Sequence, residues 1–148
     1  MDNIKVLLVE DNQEDAVLTL RALRKNNIEN HVYVVRDGVE ALDFLFCTNK
    51  FAKRNPHDLP QLMLLDIELP ALNGLEVLRR IRANDRTRRL PVVILSSSNE
   101  EQTIVESYKS GANSYVSKPT DFTQFMKSVR ELGSYWLASN PIPPSEVG

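Results

Sequence analysis

Three carboxylates, a hydroxyl and an ammonium stand at the ends of short apolar runs in this sequence. Glu10 and Asp11 follow IKVLLV, Asp66 follows QLMLL, Ser96 follows PVVIL, and Lys118 closes the run SYVS. The chemistry that uses such a set is phosphoryl transfer to a carboxylate. Asp66 would be the nucleophile, attacking phosphorus to give an acyl phosphate. That step adds negative charge beside carboxylates, so a cation is required. Mg2+ takes oxygen ligands, keeps several waters, and is usually held by one or two carboxylates plus phosphate oxygens. Asp11 and Asp66 suit direct ligation, Glu10 contact through water, and the Glu68 backbone carbonyl a further position. Lys118 would neutralise one phosphoryl oxygen and the Ser96 hydroxyl would hydrogen-bond another, so that catalysis is mostly positioning and charge stabilisation.

Each residue also has a plainer reading. Asp11 could cap the first helix, and Asp66 could open a turn ahead of Pro70 and Asn73-Gly74. Ser96 could be a loop residue, since SSSN also signals a helix start, and Lys118 a solvated charge before Pro119. Singly these alternatives stand; the combination is what argues for a site.

The elements that must position the five residues are legible in the pattern. Apolar runs at 4–9, 31–35, 61–65, 91–95 and 114–117 are rich in Val, Ile and Leu. They are apolar throughout rather than alternating, which suits strands covered on both faces. After each run comes a short polar residue with Glu or Gln three positions on: Asp11/Glu14, Asp37/Glu40, Asn73/Glu76, Ser98/Glu101 and Asp121/Gln124. That is capping-box spacing, which predicts five helix starts. In the last segment Phe122, Phe125, Met126, Val129, Leu132 and Trp136 follow helical spacing. Five strand–helix units with right-handed crossovers give an α/β fold, an open parallel sheet with helices on both faces. Ligands of such sheets bind beyond the carboxyl ends of the strands, where all five candidate residues would converge.

The totals bound the rest. The chain of 148 residues is 42% hydrophobic and 26% charged, enough for one domain, with a core over about 3–137 and an extended Pro-rich tail over 138–148. A net charge of −2 gives no reason to expect nucleic acid or an anionic membrane. Cys47 is the only cysteine, which excludes an internal disulfide and a thiolate metal cluster. With no signal-peptide pattern and no apolar run long enough to span a bilayer, the expected location is cytoplasmic.

VLLVEDN at 6–12, LMLLDIELPALNG at 62–74, PVVILSSS at 91–98 and GANSYVSKP at 111–119 together resemble the receiver domains of bacterial two-component response regulators, the CheY-like proteins. The resemblance implies a flavodoxin-like sheet of strand order 2-1-3-4-5, an order for which CheY is itself a standard example. It implies that Asp66 accepts a phosphoryl group from a histidine kinase, that Glu10, Asp11, Asp66 and the Glu68 carbonyl hold Mg2+, and that Lys118 meets the phosphoryl group. Ser96 and Tyr115 take the places of the switch hydroxyl and the switch aromatic, and the Lys118–Pro119 peptide that of a cis bond. The departures are Glu-Asp for Asp-Asp and Ser for Thr, and neither removes a ligand or a donor. A lengthened connection at 47–61 and the aromatic end SYWLASNP further resemble the small response regulators that partner bacterial phytochromes.

Two other function classes bear on the same residues. Phosphohydrolases of the haloacid-dehalogenase type also use Asp, Ser, Lys and Mg2+, but with the nucleophile on the first strand and a D-x-D in which this chain has Glu68. A pseudo-receiver, which binds partners without phosphorylation, ordinarily lacks a site residue, and none is missing here. The six arginines of RRIRANDRTRRL at 79–90, without interleaved aromatics, are expected on a solvated helix face and loop. Tyr33, Phe44, Phe46 and Phe51 are expected in the core, and His31 and His57 lack ligand spacing. Eleven residues follow Leu137, too few for a helix-turn-helix, so the expected output is a protein contact. Tyr135, Trp136 and Leu137 are expected to join the fourth helix–fifth strand–fifth helix face in a homodimer.

Overall fold

The structure, a computed structural model, describes residues 4–25, 31–98 and 100–118, together with Lys127 and Glu131. The chain alternates strand and helix: β1 (Val6–Val9), α1 (Gln13–Lys25), β2 (Val32–Val35), α2 (Gly38–Phe46), β3 (Leu62–Asp66), α3 (Gly74–Arg82), β4 (Val92–Ser96), α4 (Glu101–Lys109) and β5 (Ser114–Ser117). All pairings are parallel, in the order β2-β1-β3-β4-β5. The three central strands are buried along their whole length, whereas β2 and β5, at the edges, are partly exposed. This is why VLLV, LMLL and VVIL show no polar alternation.

Side chains alternate between two cores, as the two-residue strand period requires. Leu7, Val9, Met63, Leu65, Val92 and Ile94 face α2 and α3, meeting Phe44, Leu45, Val77, Leu78 and Ile81. Val6, Leu8, Leu62, Leu64, Val93 and Leu95 face α1, meeting Ala16, Ala22 and Leu23. Tyr33, Phe44 and Phe51 form an aromatic cluster, with ring centroids 5.1–5.8 Å apart, on the first of these faces. Phe51 belongs to the 47–61 connection, in a 3-10 turn over Asn49–Phe51. The connection is therefore anchored in the core. Arg54 holds it further, stacking on Phe44 at 3.7 Å and donating to the Asp58 carbonyl.

The helix starts depart from the expected spacing in two places. Asp37 caps α2, accepting from the Glu40 N–H at 2.7 Å, and Asn73 caps α3 through the Leu75 N–H at 2.8 Å. For α1, however, Asn12 accepts from the Asp15 N–H at 3.0 Å, which corrects the reading of Asp11 as a cap and frees its carboxylate. In α4 the N-cap position is Glu100, with no side-chain cap, and Ser98 accepts from the Glu100 N–H in the preceding turn. The fifth cap pair, the aromatic stripe of the last helix, the 138–148 tail and the Lys118–Pro119 peptide lie outside the described residues. Among the described residues no helix is long and apolar enough to cross a membrane.

The arginine run is also corrected. Arg79 and Arg80 pair with Glu76 on the exposed face of α3, as a solvated helix face would. Arg82 and Arg86 do not. Arg82 donates to the carbonyls of Gly111, Leu90 and Arg88 and to Asn113 Oδ1, at 2.7–3.0 Å. Arg86 donates to the carbonyls of Pro56 and Leu45.

Candidate functional site

Strand register brings the candidate residues together. Val9 is level with Leu65, so the next residues, Glu10 and Asp66, leave neighbouring strands side by side. Asp66 and Ser96 are the last residues of β3 and β4, and Lys118 follows β5 immediately, its N–H donating to the Ser96 carbonyl at 2.6 Å. Alternation then sorts the side chains. Glu10, Asp66 and Lys118 continue the parity of Leu8, Leu64 and Val116, which face α1, while Ser96 continues that of Ile94, on the opposite face with Tyr115.

On the α1 face, the Lys118 ammonium lies 2.6 Å from Glu10 Oε1, 2.9 Å from Asp66 Oδ2 and 3.0 Å from Asp15 Oδ2. Sequence reasoning missed Asp15, whose partner lies 103 residues away; the only local signal was an acidic residue in the first turn of α1. Burial works against the charge on Lys118, but hydrogen bonds to Glu10 and Asp66 outweigh it and hold the ammonium above its ordinary range. Glu10, 1% exposed, is pushed up to about 8, first by burial and then by its hydrogen bond with Asp66. Asp66, 4% exposed, also accepts at Oδ1 from the Glu68 N–H, 3.1 Å away.

Carboxylate oxygens of Glu10, Asp11 and Asp66 all lie within 4.8 Å of one another. Asp11 is exposed while the other two are buried. Glu10 Oε1 is the buried side-chain atom that lacks a partner in good hydrogen-bond geometry among the described residues, although the Lys118 charge faces it. Closely spaced acidic oxygens, with no imidazole or thiolate among them, fit a hard divalent cation. Glu68, the further expected contributor, is exposed beside Asp66.

On the other face, the Ser96 hydroxyl, 1% exposed, accepts from the Ser98 N–H at 3.1 Å. The Tyr115 hydroxyl donates to the Ser98 carbonyl at 2.5 Å. Ser96 and Tyr115 are thus connected through the backbone of one residue, Ser98. Gly74 supports the rim from beneath. A Cβ there would stand 2.2 Å from the Asp66 carbonyl oxygen, so only glycine lets α3 start this close to the end of β3.

Comparison with known proteins agrees with this geometry. Residues 6–130 match the response regulator receiver domain. The probable methanogenesis regulatory protein FilR2 of Methanothrix harundinacea is 36% identical over 96% of this chain and 89% of its own length. Response regulator Rcp1 of Synechocystis is 34% identical over 93% of this chain and 92% of its own. Among solved structures, that of the phosphorylated cyanobacterial phytochrome response regulator RcpA has a TM-score of 0.86 at 35% identity, covering 96% of this chain and 99% of that one. The Mn2+-bound form of Rcp1 has a TM-score of 0.84 at 33% identity, covering 95% and 99%.

Proposed function

Because this chain belongs to the response regulator receiver domain family, we propose that Asp66 is its phosphoacceptor, served by Glu10, Asp11, Lys118 and Ser96. The chain is a receiver-domain response regulator, and the family implies a histidine kinase as phosphoryl donor. In the transfer, an Asp66 carboxylate oxygen forms a bond to phosphorus. The bond from phosphorus to the donor imidazole nitrogen breaks, and its electron pair leaves with the imidazole. The observation that carries this reading is the Lys118 ammonium 2.9 Å from Asp66 Oδ2, a positive charge beside the carboxylate where negative charge accumulates.

Glu10, Asp11 and Asp66 would hold the divalent cation, which we take to be Mg2+ with the Glu68 carbonyl as a further ligand. When bound, it supplies charge neutralisation at the phosphoryl oxygens. Incubation with acetyl phosphate and Mg2+ is expected to add one phosphoryl group by intact mass, and Asp66→Asn none while remaining folded. A stable phosphoryl group on the Asn variant would move the site, and none on the wild type would favour the pseudo-receiver reading. The haloacid-dehalogenase-type reading has no support in the family match.

The signal would leave through Ser96 and Tyr115. A phosphoryl group on Asp66 offers acceptors that draw the Ser96 hydroxyl from the Ser98 N–H, shifting the population between two packings of the segment that carries Ser98. Ser96→Ala is expected to accept phosphate yet show no phosphorylation-dependent binding. A normal response in that variant would remove Ser96 from the switch. The surface beside Tyr115 supports a homodimer through the fourth helix–fifth strand–fifth helix face: α4 exposes Val105 and Tyr108, a pairing suited to an isologous contact. Likeness to RcpA and Rcp1 supports a phytochrome-type kinase as the donor.

A further inference from the structure

We propose that Asp15 is a positioning residue for the transfer, its carboxylate setting where the Lys118 ammonium stands over Asp66. The inference rests on Asp66 being the phosphoacceptor.

An ammonium has three N–H donors, and Lys118 has three carboxylates around it, from three different elements. Glu10 and Asp66 hold it from the buried side, at the ends of β1 and β3. Asp15 holds it from α1, with about a third of its side chain exposed. Asp15 is itself fixed. Its N–H donates to Asn12 Oδ1 at 3.0 Å, and its carbonyl accepts from the buried Thr19 hydroxyl at 2.9 Å. The two inner partners pull unequally, since Glu10 is nearer, at 2.6 Å against 2.9 Å for Asp66. With only those two, the ammonium settles on Glu10, a carboxylate wanted by the cation. Asp15 draws it outward and leaves one N–H directed at the carboxylate that is to be phosphorylated. When acetyl phosphate is the donor, an Asp66 oxygen bonds to phosphorus, the bond from phosphorus to the acetate oxygen breaks, and acetate leaves with the pair. The charge on the phosphoryl oxygens then needs the ammonium at that place, and displacement of about 1 Å is enough to cost rate.

The test measures phosphoryl incorporation from acetyl phosphate with Mg2+ by intact mass, at saturating donor. Asp15→Ala is expected to be slower by about tenfold with an unchanged melting temperature; Asp15→Ser serves as a second truncation. Asp15→Asn keeps an oxygen that accepts the same hydrogen bond and is expected to recover within about twofold of wild type. In a Lys118→Ala background, Asp15→Ala is expected to cost nothing further, an outcome a merely structural role would not give. Wild-type rates in Asp15→Ala, an Asn variant as slow as the Ala variant, or an equal loss with and without Lys118 would each overturn the inference while leaving Asp66 in place. Absence of phosphoryl incorporation in the wild type would overturn the Asp66 reading itself, and Asp15 with it.

Discussion

Arg82 and Lys118 are each surrounded by oxygen at opposite ends of the same sheet, and the two surroundings differ in charge. Arg82, at the end of α3, meets three backbone carbonyls and the Asn113 amide oxygen. Asn113 in turn binds Val92 through both its N–H and its side chain, which ties the starts of β4 and β5 together. All the partners are neutral, so the guanidinium can satisfy them permanently. Lys118 faces Glu10, Asp15 and Asp66, with Asp11 close to two of them. One ammonium cannot balance four ionised carboxylates, so the rim either keeps a proton on Glu10 or draws in a further cation. A satisfied cluster is a fastener; an unbalanced one needs a further cation and can be altered by a phosphoryl group. The contrast predicts that one end of the sheet governs stability and the other governs chemistry, as is usual for ligand sites at strand carboxyl ends.

The largest effects should separate the two ends cleanly. Lys118→Ala removes the charge beside Asp66 and is expected to slow phosphoryl incorporation by about 10²–10³-fold, the usual cost of losing one charge-stabilising donor. With Mg2+ present the variant should still unfold cooperatively. Arg82→Ala is the converse. It strips the partners from several carbonyls, Leu90 O among them, and is expected to lower stability by about 2–4 kcal/mol in denaturant titration. Its phosphorylation rate per folded molecule should match wild type. If Arg82→Ala slowed the chemistry as much as Lys118→Ala, the two ends would be coupled and the contrast would fail.

The sequence revealed the chemical end better than the fastened one, for a physical reason. Short apolar runs without alternation, rich in Val, Ile and Leu and each followed by a helix-start signal, suit strands covered on both faces, so the runs ending at Glu10, Asp66 and Ser96 located the rim within one residue. Asp66 and Ser96 close their strands instead of following them. Asp37 and Asn73 were legible as caps because capping is local. Asn12 took the place of Asp11 because several polar residues in a row can each serve, and the turn geometry chooses among them. Arg82 and Arg86 looked like surface charge because all but one of their acceptors are backbone carbonyls, as far as 41 residues away, and a carbonyl has no letter in the sequence. Asp15 was hidden in the same way, since its partner is brought by β5.

The smallest expected effect concerns the unbalanced charge itself. Glu10 is pushed up to about 8 by burial and by its hydrogen bond with Asp66, from an ordinary value of 4.5. A carboxyl group raised on folding contributes stability that is fully present below its unfolded value and is lost as pH rises through its folded value. Without a divalent cation, the domain should therefore lose stability progressively between about pH 5 and pH 8, as Glu10 is forced to ionise in the rim. A bound cation requires that same ionised carboxylate, so its binding competes with the proton. The rise in melting temperature on adding Mg2+ should accordingly be small at about pH 6 and larger at about pH 8.5, because ligand stabilisation follows affinity. Arg82→Ala should melt lower at both pH values yet show the same Mg2+ increment as wild type, since its partners do not titrate. Glu10→Gln, which cannot ionise, should show an increment that no longer grows with pH. An increment equal at both pH values in the wild type would mean that Glu10 holds no proton in the cation-free rim, and that the rim keeps its excess negative charge instead of discharging it by taking up a proton.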